Sequence, residues 1–280
     1  MIKLLRGNLA RTIKSKTFWM CIALYAAYAI FLPIVLKYQN PEFFNGTGTS
    51  ELLLATGYGI AGFPLQGMFI ATICCIIFGA DFHNGTLRNK LIIGQTRNKI
   101  YIANLLDSLM ISLVLNLVYL LFFFIISLPM CGGFTAPSKD IIQVLIYGLL
   151  MMFSYSAIST FIVMTSKNTT VAIIISFVLL FVSMMLIMYF DEVIQQTPYY
   201  TQYTMNEYGE IVEQVIANPH MPSKSLVNFS QFMLDCFPSG QSFLLSNNNV
   251  IRWQMPIYSL SLIAITSGAG LLVFNKTNIK

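Results

Sequence analysis

The chain has 280 residues, 56% of them apolar and only 10% charged, with a mean hydropathy of +0.70. A soluble globular domain carries roughly 25% charged residues, so a water-soluble domain is excluded and an integral membrane protein is expected. The net charge of +5 does not point to nucleic acid, because the basic residues flank apolar runs rather than forming one patch.

Residues Ile2 to Lys16 are too short and too charged to span a bilayer. On a helical wheel Ile2, Leu5, Leu9 and Ile13 share one face, with Lys3, Arg6, Arg11 and Lys14 on the other. This pattern predicts an amphipathic helix at the membrane surface with its basic groups towards anionic headgroups; a disordered basic tail is the plainer alternative. No cleavable leader is expected, since the first apolar run is long enough to span and no small-residue cleavage site follows it.

Runs of about 20 apolar residues suit helices crossing a ~30 Å hydrocarbon core, and their continuous apolar character argues against a barrel. Six spans are predicted, at 18–36, 58–80, 102–128, 141–164, 171–189 and 256–274, making residues 1–280 a single all-α transmembrane domain. The loop Lys37 to Thr56 carries Pro41 and several glycines. The second span contains Gly59, Gly62, Pro64 and Gly67, which favour close helix approach and a kink at Pro64. In the third span Asn104, Ser108, Ser112 and Asn116 stand four apart on one face, a stripe that calls for helix–helix hydrogen bonds or, more sharply, a wet pathway for cargo. Asp107 reads as a boundary charge within reach of water, Arg97 or Lys99.

With the N-terminus inside, twelve of the sixteen Lys and Arg fall on the inner side, and only Lys37, Lys139, Lys224 and Arg252 fall outside. The positive-inside rule therefore predicts both termini in the cytoplasm. In the outer segment 190–255, Met205, Tyr208, Ile211, Val212, Val215 and Ile216 suggest one amphipathic helix. Leu226, Phe229, Phe232, Met233 and Phe237 suggest a second, closed by Pro238-Ser239-Gly240. Either helix could lie on the outer leaflet or dip part-way in; a helical hairpin capping the bundle is the plainer alternative.

Enzyme signatures are missing. The two histidines, His83 and His220, belong to no HExxH pattern, no GxSxG elbow occurs, and no GxxxxGK[ST] phosphate loop is present. The five cysteines show no metal-ligand spacing, although Cys131 and Cys236 both fall in outer segments and could pair. Scarce intramembrane charge also argues against an ion-coupled carrier. Transport by such a chain has to borrow its energy from another protein.

Residues 81–101, DFHNGTLRNKLIIGQTRNKIY, form the largest polar, basic segment on the predicted inner side. Asp81 and Asn84-Gly85 suit a turn after the second span, and Thr86 to Ile93 suits a short helix ended by Gly94. Leu87, Leu91 and Ile92 are expected to face the bundle, with Arg88, Asn89 and Lys90 outward.

The layout as a whole, and the run Asn84-Gly85-Thr86-Leu87 followed by Gly94, Arg97 and Tyr101, resembles the ABC-2-type permeases, the membrane subunits of ABC exporters. The family often has Glu near the start of this motif, where this chain has Asp81. Nearest in form are peptide exporters of Gram-positive bacteria, such as phenol-soluble modulin exporters and lantibiotic-immunity permeases. The resemblance implies a bacterial cytoplasmic-membrane protein that is non-catalytic itself and works as a homodimer. It implies a separate ATPase subunit that holds ATP and Mg²⁺, docked on a coupling helix within residues 81–101. The coupling residues would be Asp81, Phe82, His83, Asn84, Gly85, Thr86, Leu87, Arg88, Asn89 and Arg97. An amphipathic peptide would suit the Met- and Phe-rich spans, and lipid-facing packing would suit them equally. Drugs, antibiotics or lipids are alternative cargoes, and a non-transporting sensor or assembly protein is the alternative role.

Overall fold

The computed structural model describes residues 1–39, 49–59, 63–131, 133–205, 211–248 and 251–276. Pro41, Gly62 and Tyr208 lie outside the described residues. In chain order the helices are α1 (Ile2–Lys14), α2 (Lys16–Gln39), α3 (Thr49–Thr56), α4 (Leu65–His83), α5 (Thr86–Ile92) and α6 (Arg97–Phe122). A wider π turn, Phe123–Ser127, then leads into α7 (Leu128–Cys131), followed by α8 (Ser138–Ser166) and α9 (Thr169–Gln195). Strands β1 (Tyr199–Met205) and β2 (Ile211–Ala217) come next, then α10 (Lys224–Cys236), α11 (Pro238–Phe243), a second π turn (Leu244–Asn248) and α12 (Met255–Lys276).

Among the described residues six helical stretches are long and apolar enough to cross a membrane: α2, α4, α6 with its π extension and α7, α8, α9 and α12. Each matches a predicted span. The chain is an all-α multi-pass membrane protein apart from one small hairpin. Its spans carry little polar asymmetry, because the sides not packed within the chain are apolar too, as the exposed Phe181, Val182 and Met185 of α9 show.

Packing centres on α4 and α8. Gly148 of α8 lies directly beneath the Tyr58 ring, and Gly67 of α4 beneath the Tyr155 ring, so small residues let these elements close up. Ser154 donates to the Ser259 carbonyl at 3.2 Å, tying α8 to α12. Towards one end of the bundle Tyr25, Tyr28, Tyr119 and Phe123 stack across α2 and α6, and Tyr25 and Tyr28 donate to the carbonyls of Gly57 and Thr56. That end also carries α3, the hairpin, α10 and α11. The opposite end carries α1, α5, the start of α6 and the close of α12.

Several predicted features change. The second span begins at Leu65 rather than Tyr58, and Pro64 precedes the helix instead of kinking it, a position where a missing N–H is harmless. The predicted polar loop contains α3, whose Leu53, Leu54 and Ala55 are buried. Met205 and Ile211 to Ile216 are strand rather than helix: β1 and β2 pair antiparallel, Tyr199 opposite Ala217 and Met205 opposite Ile211. The runs YYTQYTM and IVEQVIA are rich in aromatic and β-branched residues, and a hairpin satisfies their backbone locally; the helical spacing was coincidental. The second predicted outer helix is present as α10, and Pro238 opens α11 rather than merely ending α10. All five cysteines are free, so Cys131 and Cys236 do not pair.

Candidate functional site

The turn into α5 is built by three residues. The Asn84 N–H donates to the Ala80 carbonyl at 2.9 Å and closes α4, and Gly85 takes a left-handed φ of 66° that reverses the chain. Thr86 then starts α5, its hydroxyl donating back to the Asp81 carbonyl at 3.1 Å and to the Asp81 carboxylate. Gly94, at φ 86°, ends the turn, and the Thr96 hydroxyl accepts from the Lys99 N–H to cap α6.

Leu87 is the apolar anchor of α5 and is almost wholly buried, with Leu91 partly buried against the same core. Burying one leucine contributes about 2 kcal/mol, too little alone to hold a seven-residue helix in place. The rest comes from charge. Asp81, 1% exposed near the end of α4, accepts from Arg11 of α1 and from Lys90 of α5, the latter at 3.1 Å. Lys90 also donates to Asn8 Oδ1 at 3.0 Å. Asn8 Nδ2 in turn donates to Asn104 Oδ1 at 2.7 Å, and Thr12 donates to Asp107 Oδ2 at 2.8 Å. One polar knot thus joins α1, α4, α5 and α6.

This arrangement corrects four expectations. Lys90 turns inward, whereas Ile92 and Ile93 stand 73% and 77% exposed, because the Asp81 carboxylate captures the ammonium and rotates α5 accordingly. Asp107 does not reach Arg97 or Lys99; α1 folds across it and supplies Thr12. Arg97 instead caps the carbonyls of Phe274 and Asn275 at the end of α12. Arg11 faces protein rather than headgroups. Burial, reinforced by repulsion from Arg11 and opposed by Asp107, pulls the Lys90 ammonium down to about 8, and burial also lowers Arg11.

The ten residues singled out in 81–97 therefore divide. Asp81, Thr86 and Leu87 hold the helix from within, Phe82 packs against the core, and Gly85 supplies the turn. Only His83, Asn84, Arg88 and Asn89 present themselves to solvent, and the structure adds Ile92 and Ile93 to that face. The stripe Asn104, Ser108, Ser112 and Asn116 is buried. Asn104 bonds to α1, and Thr160 of α8 donates to Ser108 at 2.9 Å, so bonding between helices accounts for these two. Two clefts among the described residues lie at the far end of the bundle: about 440 Å³ beside Asp191, Glu192, Gln195 and Gln196, and about 180 Å³ beside Glu51, Thr135 and Asp140.

Asn8, Arg11 and Thr12 were missed as site residues. A signal existed: Asp81 and Asp107 are the two acids on a predicted inner side holding twelve cations, so they were bound to draw partners.

A family model described as ABC-2 family transporter protein matches residues 10–183, more than half of the chain and inclusive of α5. No curated protein matches the chain.

Proposed function

The chain belongs to the ABC-2 transporter family, and on that premise we propose that it is the permease subunit of an ATP-driven exporter of amphipathic peptides. In this reading α5 is the coupling helix. A separate ATPase, which holds ATP and Mg²⁺, docks on the face formed by His83, Asn84, Arg88, Asn89, Ile92 and Ile93. Two copies of the permease flank the pathway in the cytoplasmic membrane, with both termini inside. The observation that carries the reading is the knot at Asp81, which makes α5 a lever rather than a loop.

The mechanics follow from who holds whom. When the ATPase dimer closes on ATP, it displaces α5 by its exposed face. Leu87 and the Lys90–Asp81 pair pass that displacement to α4, and the Asp81–Arg11 pair passes it to α1. Asn8 and Thr12 carry it onward to Asn104 and Asp107 of α6. Exposed isoleucines beside an arginine suit an apolar groove with an acidic rim on the partner. Arg88 lies on the docking face and makes no contact within the knot, so Arg88→Glu separates docking from folding. The expected result is a permease of unchanged thermal stability that no longer co-purifies with its ATPase and no longer stimulates ATP turnover in nanodiscs. Unimpaired co-purification and stimulation in that variant would exclude this face as the docking surface. Peptide export is tested by whether amphipathic peptides, rather than small drugs, raise ATP turnover of the reconstituted pair.

A further inference from the structure

Helix α10 is amphipathic the wrong way round for a helix in water. Its outward face carries Phe229 and Phe232, 47% and 44% exposed, and Phe237 follows at 43%. Its inward face carries Ser230 and Asp235, buried beside Leu234, and Asp235 is held by Arg252 at 3.0 Å. In water the pattern would be reversed.

The level at which α10 sits explains the inversion. Phe229 meets Phe190 of α9 edge-on at 5.9 Å, and Phe232 meets Tyr258 of α12 at 5.5 Å. Leu234 shares a cluster with Ile187 and Met255. At 1.5 Å per residue, Thr169 to Ile187 rises about 27 Å, and Lys276 back to Met255 rises about 32 Å. A hydrocarbon core of about 30 Å that begins at the α5 end therefore ends close to Ile187 and Met255, where α10 packs. Trp253, 70% exposed, lies beside that boundary, as interfacial tryptophans do.

We propose that α10 is a lipid-binding element: its Phe229–Phe232 face, with Phe237 and Trp253, inserts among the glycerol and upper acyl groups of the leaflet opposite α5. Lys224, Ser225 and Asn228, at its start, reach the headgroup water. The occupant is lipid because the face continues the exposed apolar sides of α9 and α12, two helices long and apolar enough to span the bilayer. The proposal does not depend on what docks at α5.

The chain has two tryptophans, which makes the test direct. With Trp19→Phe and Trp253→Phe as background, single probes Phe232→Trp and Ser225→Trp are compared in nanodiscs of ordinary or shallow-brominated phosphatidylcholine, with iodide as the aqueous quencher. The expected result is blue-shifted emission from the Phe232→Trp probe, lost to bromolipid more than that of the Ser225→Trp probe and less to iodide. Trp19→Phe alone, leaving Trp253 as the native reporter, should also lose emission to bromolipid and guards against a misfolded probe variant. Iodide quenching of the two probes to the same degree, without bromolipid quenching, overturns the proposal in favour of a water-exposed face. Quenching by neither agent overturns it in favour of a protein contact, such as a second copy of the chain.

Discussion

Asp81→Asn is the most informative single change, because it keeps the shape of the side chain and removes its charge. Asp81 is 1% exposed, and both of its cationic partners come from other elements. Breaking a fully buried ion pair from one side costs about 3–5 kcal/mol. The Arg11 and Lys90 side chains are 33% and 20% exposed, so each can turn partly towards headgroup or water. That screening brings the expected cost to about 2 kcal/mol. At 1.4 kcal/mol per factor of ten, α5 should open roughly 30-fold more often. Amide hydrogen exchange in nanodiscs reads this directly: peptides covering 2–14 and 86–92 should both lose protection, while those covering α8 should not. After Arg11→Gln, adding Asp81→Asn should cost less than it does alone, with a coupling of about 1 kcal/mol. Unchanged protection in both segments, or loss confined to α4, would refute the idea that Asp81 binds α1 to α5.

Two further outcomes are expected. A Cβ at Gly270 would strike the Tyr101 hydroxyl, which has no hydrogen-bond partner among the described residues. Gly270→Ala should therefore destabilise the chain by about 1–3 kcal/mol in thermal denaturation, and Tyr101→Phe should restore part of that loss while costing little on its own; failure of the rescue would locate the strain elsewhere. Lys90, dimethylated with ¹³C-formaldehyde and followed by NMR, should titrate near 8 rather than near 10.5. Arg11→Gln removes a repelling cation and leaves Asp81 to Lys90 alone, so the midpoint should rise; a fall would reverse the sign of that interaction.

The six spans were legible because each is a continuous apolar run of sufficient length, a signal that survives any detail of packing. The turn at Asn84-Gly85 was legible because it rests on local backbone chemistry. What sequence did not disclose was the rotation of α5. Leu91 and Ile92 are equally apolar neighbours, and which of them faces the bundle is decided by a carboxylate on α4 that captures Lys90. Asp107 was misplaced for the same reason: its partner Thr12 lies 95 residues away on a helix whose polar face was expected to look at lipid headgroups. The hairpin was misassigned because Val212, Val215 and Ile216 fit both a helical stripe and a strand, and only pairing with Tyr199–Met205 distinguishes them.

The knot at Asp81 also bears on how the protein is made. Its members enter the membrane at different times: Asn8, Arg11 and Thr12 first, Asp81 and Lys90 with the second span, Asn104 and Asp107 with the third. Until the third span is in place, Thr12 lacks Asp107 and Asn8 lacks Asn104, so α1 is held only through Asp81 and Lys90. The full set of contacts behind α5 is thus completed only when half of the spans have been inserted. A chain stalled in the translocon before Arg97 lacks the α6 members of the knot, and under the proposed docking it would present the ATPase with an incompletely braced α5.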